Sequence, residues 1–137
     1  MLTDSPKHLL LGQLGEDHAA AYLRSNGLHI IERNWRYRGG ELDIVAQDRE
    51  TIVFVEVKTR TTERHGLTAQ AVTFTKQVKL AKAAQIWLDL HQSWQTPCRF
   101  DIICLVGKNP NFRVEHYRDA FDFPHTMGHR NTYWQPW

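Results

Sequence analysis

The chain has few cysteines, no long apolar segment and almost no excess of one charge, and each absence narrows what it can be. The only two cysteines among 137 residues, Cys98 and Cys104, cannot form a disulfide framework and lack zinc-site spacing, so a reducing cytoplasm is expected. No apolar run approaches the roughly 20 residues of a membrane span, and residues 1–7 do not resemble a signal peptide. These absences predict a cytoplasmic protein with no membrane contact.

Length and composition indicate one ordinary globular domain. Hydrophobic residues make up 42% and charged residues 23% of the chain, which is typical of a soluble protein. We assign residues 1–123 to a single domain and leave residues 124–137, rich in histidine and aromatic side chains, as an unassigned tail. The net charge of +2 says little about partners.

The order of helix and strand patterns predicts an α/β fold. Two segments have helical periodicity, residues 9–25 and residues 74–91, and Thr75 is a plausible N-cap of the second. The strands are predicted at residues 28–38, 40–45, 53–58, 99–106 and 112–117. A helix, a three-strand meander, a helix and two strands predict a central mixed sheet flanked by helices, with the first strand near an edge.

Two neighbouring strands carry acidic side chains where the apolar pattern predicts burial. A hairpin of even loop length pairs residues whose numbers sum to about 99, which sets Asp43 opposite Glu56 and Glu41 opposite Lys58. Two carboxylates roughly 4 Å apart repel by about 4 kcal/mol at an effective dielectric of roughly 20. Either a cation lies between them or one carboxyl group keeps its proton. A divalent metal ion is the interpretation we favour.

A plainer alternative is a solvated sheet face on which Glu41 and Lys58 form a cross-strand ion pair. Against it, residues 52–57 are otherwise apolar, which indicates a strand covered on both faces, where charges are costly unless paired or metal-bound. A β-bulge or an odd-length loop would place Asp43 and Glu56 on opposite faces and remove the argument.

The acidic pair has the chemistry of a magnesium site. Asp43 and Glu56 offer the hard oxygen ligands that Mg²⁺ or Mn²⁺ accepts, the Val57 carbonyl is within reach, and Lys58 shares the face of Glu56. Lys58 could therefore contact an attacking water or a phosphate oxygen. Glu16, on a helix face of small residues, could project toward the pair, or could be an exposed acid near the helix start; the sequence leaves both open.

A set of motifs along the chain resembles the YraN-like family of small bacterial endonuclease-like proteins, within the PD-(D/E)xK nuclease superfamily. The spacing of Asp43 from Glu56-Val57-Lys58 resembles the D…ExK motif of that superfamily. The resemblance runs from about residue 10 to residue 122 and includes Gly12-Gln13-Leu14-Gly15-Glu16, Arg33-Asn34-Trp35-Arg36, Gly39-Gly40-Glu41-Leu42-Asp43, Lys76-Gln77, Arg99-Phe100-Asp101 and Asp119-Ala120-Phe121.

The resemblance implies a restriction-endonuclease-like core with Glu16, Asp43, Glu56 and Lys58 as its site, together with Gln77 at the start of the second helix. The expected activity is Mg²⁺- or Mn²⁺-dependent hydrolysis of DNA rather than RNA, on branched or structured DNA in repair or recombination. A homodimer would suit an enzyme that cuts two strands.

Basic residues near this site are candidates for nucleic-acid binding. Lys76, Lys79 and Lys82 recur at three-residue spacing on the second helix, and Arg60 and Arg64 follow the acidic strand. The alternative is a solvated helix face made of good helix formers. Two other functions stay open: a nucleic-acid-binding adaptor that kept the fold without its chemistry, and a scaffold whose partner protein docks on the aromatic tail.

Overall fold

A computed structural model describes residues 7–60 and 72–124, with side chains from residue 10 onward. The chain runs through two helices and five strands, which are α1 (Lys7–Ser25), β1 (His29–Tyr37), β2 (Gly40–Asp48), β3 (Thr51–Arg60), α2 (Phe74–Leu90), β4 (Cys98–Val106) and β5 (Arg113–Phe121). No helix within the described ranges is long and apolar enough to cross a membrane. Arg64 and most of the C-terminal tail lie outside the described residues.

The five strands form one mixed sheet in the order β1-β2-β3-β4-β5, which confirms the predicted α/β architecture. β3 and β4 are parallel, joined through α2, and the other neighbours are antiparallel. β1 lies at one edge, as its broken apolar alternation predicts. β5 extends to Phe121, four residues beyond its predicted end.

Each face of the sheet is covered by one helix, so the central strand β3 is buried on both sides. On the α2 face, Phe54 packs against Trp87 and Phe100 with ring centroids 5.9 and 5.6 Å apart. On the α1 face, small and aliphatic side chains meet, among them Ala19, Ala20, Leu23, Val53, Val55 and Ile103. Each fully buried valine, leucine, isoleucine or phenylalanine side chain contributes about 1.5–3 kcal/mol, and this burial stabilises both layers.

The N-cap of α2 corrects the sequence prediction. Thr73, rather than Thr75, has extended backbone geometry and accepts a hydrogen bond from the Lys76 backbone N–H at 3.2 Å. The side chain of an N-cap must reach the third helical residue, and Thr75 already lies inside the first turn. α2 therefore begins with Phe74, and Lys76 is the third residue of its first turn.

A buried carboxylate fastens β5 to β4. Asp101 is fully buried and lies 2.9 Å from Arg99 Nε and 2.8 Å from His116 Nε2, and it accepts the Asp119 backbone N–H at 2.9 Å. Burial raises the pKa of Asp101, but these hydrogen bonds outweigh burial and hold the pKa below its ordinary value. Arg99 also reaches Asp48 of β2, at 3.2 Å.

Candidate functional site

The predicted register of the β2–β3 hairpin is confirmed. The paired residues run from Asp48 opposite Thr51 to Ile44 opposite Val55, and every pair sums to 99. The ladder ends there, one position before Asp43 and Glu56. Beyond it, the Asp43 side chain takes the place of a backbone partner, because its Oδ2 accepts the Val57 N–H at 2.9 Å.

The carboxyl groups of Asp43 and Glu56 converge at the end of this ladder. Only 8% of the Glu56 side chain is exposed. Burial raises the pKa of Glu56 to about 7, and the charge of Asp43 and a hydrogen bond with Asp43 contribute to the rise. The two acids thus meet as the register predicts, on one side of the hairpin's end.

Two ammonium groups approach the same oxygen of Glu56. Lys58 Nζ lies 3.7 Å and Lys76 Nζ 3.6 Å from Glu56 Oε2. Their charges oppose the rise in the pKa of Glu56 without cancelling it. The plainer alternative of a Glu41–Lys58 ion pair is wrong. The pairing of β2 with β3 ends before it reaches Glu41 and Lys58, and Glu41 forms an ion pair with Arg36 of β1 instead, at 3.6 Å.

Glu16 points inward from α1 toward the same region. Its side chain is 10% exposed and accepts hydrogen bonds from Arg33 at 3.1 Å and Asn34 at 2.8 Å. Burial raises the pKa of Glu16 and the charge of Asp43 adds to the rise, with Arg33 and Asn34 opposing it. α1 lies so close to β3 here that a Cβ on Gly15 would collide with the Thr59 hydroxyl. The inward orientation, one of two left open by the sequence, is the one found.

The partners of Glu16 depend on a local change of strand geometry. Successive residues of a regular strand point to opposite faces, yet Arg33 and Asn34 both reach Glu16. Asn34 has a φ of 54°, a left-handed conformation that asparagine tolerates better than most residues, and this turns its side chain toward α1. Both residues belong to a motif that supports the family resemblance, but the sequence gives them no role.

A cleft of about 650 Å³ lies at this end of the sheet, and Glu56 is not among the residues that line it. Its lining includes Gln13, Glu16, Asn34, Arg36, Asp43 and Lys58. Within residues 7–60 and 72–124, no three His, Cys, Asp or Glu side chains gather into a metal cage. Mg²⁺ commonly uses one or two carboxylates and takes its other ligands from water and substrate phosphate. Asp43 and Glu56, with the Val57 carbonyl nearby in sequence, fit that requirement.

The residues predicted to bind nucleic acid do not form one row. Lys76 turns to Glu56, whereas Lys79 and Lys82 are exposed on α2. The Gln77 side chain donates to the Val72 carbonyl at 3.1 Å and so ties down the start of its own helix. Arg60 is the last residue of β3. The nucleic-acid roles of these residues stay predictions.

Comparison with known proteins supports the family resemblance. The model of a family described as "Uncharacterised protein family UPF0102", the YraN family, matches residues 15–105. A UPF0102 protein of Nitratidesulfovibrio vulgaris is 48% identical over 128 residues, which are 92% of this chain and 94% of that protein. A UPF0102 protein of Lawsonia intracellularis is 43% identical over 127 residues, 93% of this chain and 96% of its own.

One solved structure similar to this chain is Pyrococcus furiosus SfsA in complex with Ca²⁺. The two are 15% identical, with a TM-score of 0.35, over 81% of this chain and 63% of that one. Nothing about activity follows from so distant a likeness.

Proposed function

The chain belongs to the UPF0102 family, in the restriction-endonuclease-like superfamily, and we propose that it is a metal-dependent endonuclease that hydrolyses phosphodiester bonds in DNA. The observation that carries the proposal is the convergence of Asp43 and Glu56 at the end of the β2–β3 ladder, beside an open cleft that Asp43 and Lys58 line. A purely structural hairpin gains nothing from two acids that repel each other. A divalent cation bound by both carboxylates would offset that repulsion.

The chain's own groups suit this chemistry. Asp43, Glu56 and the Val57 carbonyl would hold the ion, and the Val57 N–H already fixes the orientation of Asp43 at 2.9 Å. When bound, a divalent ion stabilises charge on the phosphate and lowers the pKa of a bound water. Lys58, 3.7 Å from Glu56 and on the cleft wall, would contact the phosphate or orient the attacking water.

Glu16 completes the acidic side of the cleft in this proposal. Its hydrogen bonds to Arg33 and Asn34 hold the carboxyl group in place, so Glu16 would orient water or a ligand rather than move freely. Lys76 supplies a second positive charge beside Glu56. We propose DNA as the substrate, with branched or structured DNA as the first candidates to assay.

The test is cleavage of linear and branched DNA by purified protein with Mg²⁺ or Mn²⁺. Asp43→Ala and Glu56→Ala should each abolish cleavage, because each removes one of two carboxylate ligands. Glu50→Ala is the matched control, since Glu50 is an exposed acid in the β2–β3 turn, at the other end of the hairpin from Asp43, and it should keep activity. Circular dichroism verifies that each variant is folded.

Two outcomes would contradict the proposal. Identical cleavage by wild type and either alanine variant would assign the activity to a contaminant or to another site. Salt-sensitive DNA binding without turnover under any divalent ion would favour the adaptor function instead.

A further inference from the structure

A second recess continues from the cleft along the β1–β2 hairpin to the tip of that hairpin. Six consecutive residues, 36–41, line a recess of about 340 Å³, and two of them, Arg36 and Glu41, also line the cleft beside Asp43. From Asp43 to the tip at Gly40, β2 covers roughly 10 Å at about 3.3 Å per residue. That distance corresponds to about three stacked nucleotides at roughly 3.4 Å each.

The tip has a fixed conformation. Tyr37 and Gly40 are the last paired residues, so Arg38 and Gly39 form a two-residue turn with φ values of 49° and 81°. Positive φ at both positions is the type I′ geometry that matches the twist of a hairpin. Gly40 packs close to α2, since a Cβ there would lie 3.2 Å from the Ala83 Cβ. The hairpin therefore presents its side chains from a defined position.

The exposed side chains of this tip combine one aromatic ring with two guanidinium groups. The Tyr37 ring lies nearly parallel to the Trp35 ring, with centroids 6.0 Å apart. The Arg38 guanidinium carbon is 5.3 Å from the centroid of the Tyr37 ring. Tyr37 is 37% exposed, and the Arg36 side chain is 75% exposed. Single-stranded nucleic acids are bound by this combination, because bases stack on aromatic rings and cations hold the phosphates.

We infer that this hairpin binds unpaired nucleotides of a DNA strand whose phosphate lies in the cleft. A base stacks on the Tyr37 ring, and the Arg38 guanidinium keeps its contact with that ring. Arg36 contacts the phosphate between the tip and Asp43. The inference rests on the proposed function for the identity of the ligand. It predicts a preference for single strands and for flaps over continuous duplex, because bases within a duplex are already stacked on one another.

The experiment measures binding without cleavage. Fluorescence anisotropy of a labelled 12-nucleotide single strand and of the matching duplex is followed at low salt, in EDTA, with Asp43→Asn as the parent protein. That parent repels phosphate less than wild type does. Tyr37→Leu should weaken single-strand binding roughly 5- to 100-fold and change duplex binding by less than twofold. Tyr37→Phe, which keeps the ring, should bind like the parent.

A charge-matched control separates the hairpin from general electrostatics. Arg36→Gln should weaken single-strand binding more than Arg49→Gln, because Arg49 is exposed in the β2–β3 turn at the opposite end of β2. Thermal unfolding verifies that all variants are folded. Equal losses for Tyr37→Leu on single strand and duplex, no loss, or no single-strand binding by the parent would each overturn the inference.

The outcome is independent of cleavage. If wild type never cuts DNA but Tyr37→Leu loses single-strand affinity, the hairpin inference stands and the nuclease proposal fails. If wild type cuts DNA in a manner that depends on Asp43 and Glu56 while Tyr37→Leu binds normally, the reverse holds.

Discussion

Glu56→Gln should make the protein more stable at alkaline pH in the presence of EDTA, although it removes a residue of the proposed site. The Glu56 side chain is 8% exposed, and its pKa is raised from 4.5 to about 7 by burial and by Asp43. The difference corresponds to about 3 kcal/mol between the ionised and protonated forms. Between these two pH values the folded chain holds a proton that the unfolded chain has lost, so stability falls as pH rises through this interval.

The expected size of the effect follows from this linkage. At pH 8 the ionised Glu56 costs up to about 3 kcal/mol, and a glutamine, which is uncharged and can donate to Asp43, avoids that cost. Glu56→Gln should therefore raise the free energy of unfolding at pH 8 by about 2–3 kcal/mol, or Tm by roughly 5–15 °C. At pH 4 Glu56 is protonated in the folded state, and the difference between the two proteins should nearly vanish.

The assay is urea or thermal unfolding followed by tryptophan fluorescence between pH 4 and pH 8, with EDTA throughout. Glu41→Gln is the control, because the Glu41 side chain is 57% exposed, and it should change stability by less than about 0.5 kcal/mol. A Glu56→Gln protein that is less stable than wild type at pH 8, or a difference that does not vary with pH, would refute the reasoning.

Two further predictions concern the packing that positions the site. Gly15→Ala should lower the free energy of unfolding by about 1–3 kcal/mol, because the added Cβ would collide with the Thr59 hydroxyl. Gly12→Ala meets open space on the same helix and should be neutral or stabilising by up to about 1 kcal/mol. Equal urea midpoints for the two variants would contradict the close approach of α1 to β3. Asp101→Asn should cost about 1.5–3 kcal/mol, because it weakens the charge-assisted hydrogen bonds of a fully buried carboxylate and leaves Arg99 paired with Asp48 alone among the described residues. Since the pKa of Asp101 is lowered, the stability it contributes is present above the ordinary aspartate pKa and lost as pH falls below it. An unchanged midpoint for Asp101→Asn at pH 7 would show that the network does not hold β5.

The sequence was sufficient to predict the register that brings Asp43 and Glu56 together. The side-chain period of a strand and an even hairpin loop determine which residues face each other, and the apolar run at residues 52–57 indicates burial on both faces. The inward direction of Glu16 was one of two open alternatives, since helix periodicity defines a face but not what that face packs against.

Other parts of the site depend on contacts between elements that are distant in the sequence. Lys76 looked like the first of three phosphate-binding lysines, and only the packing of α2 on the sheet brings it to Glu56. The roles of Arg33 and Asn34 depend on one left-handed residue in β1, which no apolar pattern reveals. The N-cap of α2 was misplaced by two residues because Thr73 and Thr75 both suit the position chemically.

The most direct test of the central claim is calorimetric titration of Mg²⁺ and Mn²⁺ into wild type and into Asp43→Asn, at a pH above 7 so that Glu56 is ionised. If Asp43 and Glu56 converge on a common ion, wild type should bind it with a measurable heat, and Asp43→Asn should bind it at least tenfold more weakly. The same heat and affinity in both proteins would contradict the claim.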